Sequence, residues 1–93
     1  LSCVGASVEN LARCLALELA PIRVNVVSPG TINTAMFDHF GDKKEETLQG
    51  MTQSHLIKRA GSSEEVAAGI LFVMQNEFVT GTTVDVDGGR LLS

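Results

Sequence analysis

Residues 22–34 read IRVNVVSPGTINT, and this stretch decides how the chain folds. Its first half is rich in β-branched residues, which predicts a short buried strand over residues 22–28. Pro29 and Gly30 follow at once and end that strand in a tight turn. In an open α/β sheet, small molecules bind just beyond the carboxyl ends of the strands, so the residues after this turn are candidates for a ligand site.

The composition is that of a small packed domain. The chain has 93 residues, of which 44% are hydrophobic, and this length allows at most one domain. Its net charge of −4, without a cluster of Lys and Arg, argues against a nucleic-acid partner. The longest apolar run, residues 66–74, is far shorter than the roughly 20 residues that span a bilayer, so we expect no membrane partner.

Residues 2–19 have the periodicity of a helix, which Pro21 ends. The apolar positions at helical spacing are Val4, Val8, Leu11, Leu15 and Leu19. Further small apolar residues widen this surface beyond one stripe, so we expect the helix to be covered on two sides, by its own sheet and by another element or subunit. Cys3 and Cys14 would lie about 16 Å apart on this helix, too far for a disulfide. Reduced thiols in a packed interface fit a cytoplasmic location.

Residues 34–58 show no strong period and predict one or two short amphipathic helices in an excursion after the strand. An excursion of this length is typical of a lid or substrate loop. Its cluster of Met36, Phe37 and Phe40 can form the core of a lid or one wall of a substrate site.

The last third of the chain predicts a helix and a strand. Ser62 and Glu65 match a capping box at the start of the helix. The expected buried face consists of Val66, Ile70, Val73 and Met74. A strand over residues 82–86 then ends at the turn 87–89, which reads Asp-Gly-Gly.

The order of these elements predicts an α/β fold in which strands 22–28 and 82–86 lie side by side and parallel. Two parallel strands cannot bury both faces and both edges of a sheet. We therefore expect residues 1–93 to be a single partial domain of a larger fold.

Four segments of the chain, taken together, resemble the short-chain dehydrogenase/reductase family. Residues 8–21 are similar to the helix that follows the family's active-site lysine, and residues 22–34 to its R-V-N-x-V-x-P-G-x-x-x-T element. Residues 59–67 match the pattern R-x-G-x-x-E-E-V-A, and residues 80–89 match T-G-x-x-x-x-V-D-G-G. The resemblance implies the carboxyl-terminal third of a Rossmann-like, doubly wound parallel sheet. It also implies NAD(P)-dependent oxidoreduction of a small carbonyl or alcohol substrate, and a homo-oligomer formed through helix 2–19 and the 82–93 end.

The same resemblance assigns a cofactor site to the loop after the first strand. Pro29 and Gly30 would shape the turn, while the backbone around Thr31 and Ile32 and the hydroxyl of Thr34 would bind the carboxamide of NAD or NADP. A plainer interpretation is an ordinary turn in which Thr34 caps a helix, and both can hold at once.

The catalytic pair of the family, Tyr-x-x-x-Lys, has no counterpart in this chain. The register of the first helix puts the tyrosine position at Leu1 and the lysine position at Gly5, and neither side chain can exchange a proton. No catalytic residue is assigned, and we expect no hydride transfer by this polypeptide alone. Two hypotheses remain: part of an oxidoreductase, or a non-catalytic remnant that acts as a dimerisation or binding module.

His39 and His55 both fall in the excursion, and no Cys or carboxylate lies near them at metal-ligand spacing. We interpret them as surface or loop-packing histidines, with a substrate contact by His39 as the alternative. No metal site is predicted.

Overall fold

The structure, a computed structural model, describes residues 2–90, without the side chains of residues 2–4, 36 and 37. The elements in chain order are α1 (Ser2–Leu19), β1 (Val26–Pro29), a 3₁₀ helix (Ala35–Lys43), α2 (Lys44–Met51), α3 (Ser63–Gln75) and β2 (Thr83–Val86). β1 and β2 are parallel neighbours, with Val26 opposite Thr83 and Pro29 opposite Val86. The predicted α/β wiring is thereby confirmed. Within residues 2–90, no helix is long and apolar enough to cross a membrane.

β1 begins at Val26, so the prediction of a strand from residue 22 was wrong at its start. The reason is that residues 23–25 bind the connection between α3 and β2 instead of continuing the ladder. The half-buried guanidinium of Arg23 donates to the carbonyl groups of Val73, Met74 and Val79, at 2.5, 2.9 and 3.1 Å. A cation placed there satisfies carbonyl groups that the end of a helix leaves without partners.

Asn25 binds the same connection through its side chain, up to the residue just before β2. Its Nδ2 donates to the carbonyl of Val79 at 3.0 Å, and its Oδ1 accepts from the amide of Thr82 at 3.1 Å. The amide of Val24 donates to the Thr80 hydroxyl at 3.1 Å. β2 accordingly begins at residue 83, one residue after the predicted start.

α1 matches the predicted helix 2–19 and packs on the sheet through small residues. Ala12 is buried, and the Cβ of Ala16 lies 3.6 Å from the place that a Cβ at Gly81 would occupy. Four larger residues lie about a quarter of a turn away and are exposed by 48, 58, 37 and 44%. They are Val8, Leu11, Leu15 and Leu19. Cys14 is an exposed free thiol, and the side chains of Cys3 and Val4 lie outside the described part.

α3 begins with the predicted capping box, in which Ser62 and Glu65 each bind the other's backbone amide. Its predicted buried face was only partly right, because Ile70 and Met74 are 42 and 64% exposed while Val73 is buried. A Cβ at Gly69 would lie 3.0 Å from Val86 Cγ2. Because glycine has no side chain, α3 can lie close to the sheet at this position. The residues of α3 that face the sheet are therefore Gly69 and Val73.

The excursion forms the 3₁₀ helix and α2, as the prediction of one or two short helices allows. Among its described side chains, the buried ones are those of Leu48, Thr52 and His55, and the Thr52 hydroxyl donates to the Leu48 carbonyl at 3.0 Å. The side chains of Met36 and Phe37, expected in a lid core or substrate wall, lie outside the described part, while Phe40 is 39% exposed.

Replacing Arg23 tests its contact with the end of α3. We expect Arg23→Met to lower the free energy of unfolding by about 2 kcal/mol or more, because three carbonyl groups lose a charged donor. Arg13→Met is the matched control, since Arg13 is exposed and pairs only within α1. It should change stability by less than about 0.5 kcal/mol. Urea unfolding followed by circular dichroism measures both, and equal losses would contradict the assigned role.

Candidate functional site

The turn after β1 is formed by a close contact between two backbones. The Gly30 amide donates to the Val86 carbonyl at 3.0 Å and so extends the ladder past the end of the strand. A Cβ at Gly30 would lie 2.8 Å from both Cα and Cβ of Asp87, and no real side chain tolerates that distance. Gly30 is therefore required by the approach of the 87–89 turn, where Gly88 and Gly89 have φ values of 64° and 82°.

The next three residues run beside Gly61. The Gly61 amide donates to the Thr31 carbonyl at 2.9 Å, and the Asn33 amide donates to the Gly61 carbonyl at 2.8 Å. This is a single parallel bridge between Ile32 and Gly61. In such a bridge the N–H and C=O of the middle residue point away from the partner. The amide and carbonyl of Ile32 consequently face the opposite side, and no group within residues 2–90 is bonded to them.

Thr34 stands at the N-terminus of the 3₁₀ helix with φ −121° and ψ 169°, the extended conformation of a capping residue. Its side chain nevertheless makes no capping hydrogen bond. The position expected for a cap is thus correct, but the hydroxyl has no partner in the part of the chain that the structure describes.

All five predicted cofactor-binding residues line one cavity of about 540 Å³. They are Pro29, Gly30, Thr31, Ile32 and Thr34. The facing wall is largely apolar, with Met51 from the end of α2 and Val66, Ala67 and Ile70 from α3. A cavity with one apolar wall and a few fixed donors and acceptors suits a flat ring that carries an amide.

A second cavity, of about 280 Å³, lies by the turn 87–89 and is lined by His55, Asp85 and Asp87. His55 is only 2% exposed, which confirms it as a loop-packing residue, and its Nε2 has no partner among the described residues. Burial, then the charges of Asp87 and Glu9, raise the pKa of Asp85. No three potential metal ligands cluster anywhere in residues 2–90.

Three other positions singled out from the sequence are His39, Gly5 and Leu1. His39 is exposed and its ring lies 4.1 Å from that of Phe40, at an angle of 34°. Gly5, at the lysine position, is exposed, and a Cβ there would contact no atom within 4 Å in the described part. Leu1, at the tyrosine position, lies outside the described residues.

Two roles were missed from the sequence. Arg23 and Asn25 belong to the R-V-N pattern that was taken with the cofactor element, yet their side chains bind the connection between α3 and β2. Gly61 was taken only as part of a helix start, although its amide and carbonyl hold the loop after β1. The glycine just before a capping box was the available signal for such a close approach.

Sequence comparison finds relatives in one family. The family model described as "Enoyl-(Acyl carrier protein) reductase" matches residues 2–90. The short-chain dehydrogenase/reductase ucsE of Acremonium sp is 40% identical over 91 residues, which are 97% of this chain and 34% of that protein. Carbonyl reductase family member 4 of Xenopus laevis is 43% identical over an alignment 96 positions long, which covers 98% of this chain and 38% of that protein. The chain thus spans about a third of the length of these relatives.

Solved structures agree with this result. The MalC Reductase/Diels-Alderase from Malbranchea aurantiaca has a TM-score of 0.85 and 36% identity, over 95% of this chain and 34% of that chain. A small-chain dehydrogenase in complex with NADPH has a TM-score of 0.80 and 40% identity, over 95% of this chain and 41% of that chain. The described elements therefore have the Rossmann-like arrangement of these enzymes.

The contact at Gly30 can be tested by adding one methyl group. We expect Gly30→Ala to lower the free energy of unfolding by about 1–3 kcal/mol, because the new Cβ would meet the backbone of Asp87 and one of the two chains must move. Gly50→Ala is the matched control, since Gly50 lies in α2 with no atom within 4 Å of the added Cβ. It should leave stability unchanged or raise it by up to about 1 kcal/mol. Thermal unfolding of both variants decides, and a neutral Gly30→Ala would show that the turn does not need glycine.

Proposed function

The chain belongs to the short-chain dehydrogenase/reductase family, and we propose that it forms part of an NAD(P)-dependent oxidoreductase acting on a small carbonyl or alcohol substrate. In this proposal residues 31–34, the nicotinamide loop, bind the nicotinamide end of NAD or NADP. Residues 35–58 form the substrate loop, and α1 contributes to an interface between subunits. The supporting observation is that the amide and carbonyl of Ile32 and the hydroxyl of Thr34 have no hydrogen-bond partner within residues 2–90. Both residues line the same largely apolar cavity.

The chemistry of the loop fits a carboxamide. Bound NAD(P) supplies the hydride donor or acceptor at its nicotinamide ring. This chain binds and orients the ring: the Ile32 carbonyl accepts from the carboxamide nitrogen, and the Ile32 amide donates to the carboxamide oxygen. The Thr34 hydroxyl adds one more donor or acceptor. Met51 and Ile70, on the apolar wall, exclude water beside the ring.

Proton exchange with the substrate is not assigned to this chain. The family's tyrosine and lysine positions fall on Leu1 and Gly5, which carry no exchangeable proton on their side chains. The proposed contribution is therefore cofactor orientation and substrate enclosure, without a catalytic residue.

A second role follows from the surface of α1. Val8, Leu11, Leu15 and Leu19 form an exposed stripe that the sheet of this chain does not cover. A contiguous apolar stripe on a helix is typical of a surface that packs against a partner. We propose a homo-oligomer through this stripe, with residues 82–90 as its second contact; residues 91–93 lie outside the described part. A dimerisation or binding module without cofactor is the alternative that this same stripe supports.

The cofactor role of Thr34 is testable by NMR. NADP⁺ titrated into the ¹⁵N-labelled chain should shift the amide signal of Ile32, and Thr34→Val should weaken binding about fivefold because one hydrogen bond is lost. Thr47→Val is the control, since Thr47 lies in α2 and does not line the cavity. If the Ile32 signal does not move, or if Thr34→Val binds as tightly as the unmodified chain, the assignment of this loop is wrong.

The subunit contact is testable by sedimentation velocity. The chain should sediment as a dimer or larger species, and Leu11→Glu should raise its dissociation constant at least about tenfold, because the change puts a charge on a leucine that is 58% exposed in the single chain and would be covered in the proposed interface. Leu17→Glu is the matched control: Leu17 is 82% exposed but lies on the other side of α1, so association should be unchanged. A monomer at all concentrations, or equal effects of both changes, would contradict the interface.

A further inference from the structure

The nicotinamide loop is held in place through one residue, Gly61. Its amide and carbonyl form both backbone hydrogen bonds of the bridge, to Thr31 at 2.9 Å and to Asn33 at 2.8 Å. The two bonds are made by the Thr31 carbonyl and the Asn33 amide, which point towards Gly61. The amide and carbonyl of Ile32, between them, therefore point to the opposite side. The direction of the Ile32 groups therefore depends on where Gly61 lies.

Gly61 has no side chain, so its position is determined by the residues on either side. Before it, Arg59 donates from both terminal nitrogens to the carboxylate of Glu65, at 2.8 and 2.9 Å. The same guanidinium donates to the carbonyl of Ala60 at 3.1 Å. After it, the Ser62 amide donates to Glu65 Oε1 at 2.9 Å. One carboxylate thus holds the chain on both sides of Gly61.

We infer that Arg59 and Glu65 are positioning residues for the nicotinamide loop: their ion pair fixes Gly61 in the register that directs the amide and carbonyl of Ile32 into the cofactor cavity. The identity of the bound group rests on the proposed function, whereas the mechanical coupling from the ion pair to the loop does not. Neither side chain is proposed to touch the cofactor.

The geometry of the pair favours this role over a general contribution to stability. A bidentate guanidinium–carboxylate contact fixes orientation as well as distance. The side chains of Arg59 and Glu65 are 58 and 44% exposed, so water screens the pair and its effect on global stability is small. Its consequence should be local, at residues 31–33 and 61.

The protonation of Glu65 provides a pH signature. The hydrogen bonds from Arg59, then from the Ser62 backbone, lower the pKa of Glu65 from 4.5 to about 2. A carboxyl group with a lowered pKa contributes its full effect above its ordinary value and loses it as the pH falls towards the lowered one. The hold on Gly61 should therefore persist down to about pH 4.5 and weaken between there and pH 2.

Amide hydrogen exchange, measured by NMR on the 93-residue chain, tests the coupling. Arg59→Gln should raise the exchange of the Gly61 and Asn33 amides roughly fivefold, as expected for losing a well-oriented surface pair. Glu65→Gln should act likewise, although glutamine keeps the capping box, and Arg59→Lys should restore part of the protection. Arg13→Gln is the matched control, because the Arg13 side chain is 57% exposed and pairs with Glu9 on α1.

The Gly30 amide, which binds Val86, is the internal reference and should exchange equally in all variants. Corrected for intrinsic rates, exchange at Gly61 should rise below about pH 4.5 in the unmodified chain and stay flat in Glu65→Gln. Unchanged exchange at Gly61 and Asn33 in Arg59→Gln, or an equal rise at Gly30, would overturn the inference. The NADP⁺-induced shift of Ile32 is recorded on the same samples, and its absence in the unmodified chain would overturn the proposed function while the exchange rates still decide the coupling.

Discussion

The contact on which this fold depends is that of Arg23 and Asn25 with the end of α3 and the connection from α3 to β2. Asn25 accepts from the Thr82 amide while the next residue, Val26, donates to the Thr82 carbonyl at 2.9 Å. Both backbone groups of Thr82 are thus bound just before the ladder begins, which sets the register of β2 against β1. A slip by one residue would turn every side chain of the strand to the other face. Because the register is set at the start of the strands, Gly30 lies opposite Asp87 just after their last residue pair.

The cavity proposed for the cofactor lies at that end, and close approaches at two glycines shape it. On one side Gly30 admits the 87–89 turn, and on the other Gly61 admits the side chain of Ile32, whose Cδ1 would be 2.9 Å from a Cβ there. Backbone amides and carbonyls held in this way present fixed donors and acceptors, with little conformational entropy left to lose on binding. Thr34, at the position of a helix cap but without a capping hydrogen bond, adds a hydroxyl group that can rotate to donate or accept.

Much of this arrangement could be predicted from residue patterns, because local chemistry determines it. The capping box of Ser62 and Glu65 and the Pro-Gly turn depend on neighbours in sequence, and the parallel pairing follows from the order of the elements. The start of β1 could not be predicted, because Arg23 binds carbonyl groups that are about 50 residues away in the sequence. The exposure of Ile70 and Met74 could not be predicted for a similar reason. The helical period shows which residues form an apolar face, but the close contact at Gly69 determines which of them touch the sheet. Likewise, a single glycine at position 61 gives no sequence sign that it pairs with Ile32, which lies in the loop after β1.

Small and large residues lie on different faces of α1. The small residues pack within this chain, and the large ones form the surface proposed to contact a partner. Ala12 and Ala16 face the sheet, and their small side chains let the helix approach the backbone near Gly81. The leucines lie about a quarter of a turn away, are too large for that narrow contact, and point where residues 2–90 leave them partly exposed. Since the two faces share no side chain, covering the leucines leaves the contact of α1 with the sheet unchanged. The cavity proposed for the cofactor is lined by residues of the 29–34 segment, α3 and the end of α2, together with Arg90, and none of these belongs to α1. Mutations should therefore be able to alter the proposed association through α1 and the proposed cofactor binding at the nicotinamide loop separately.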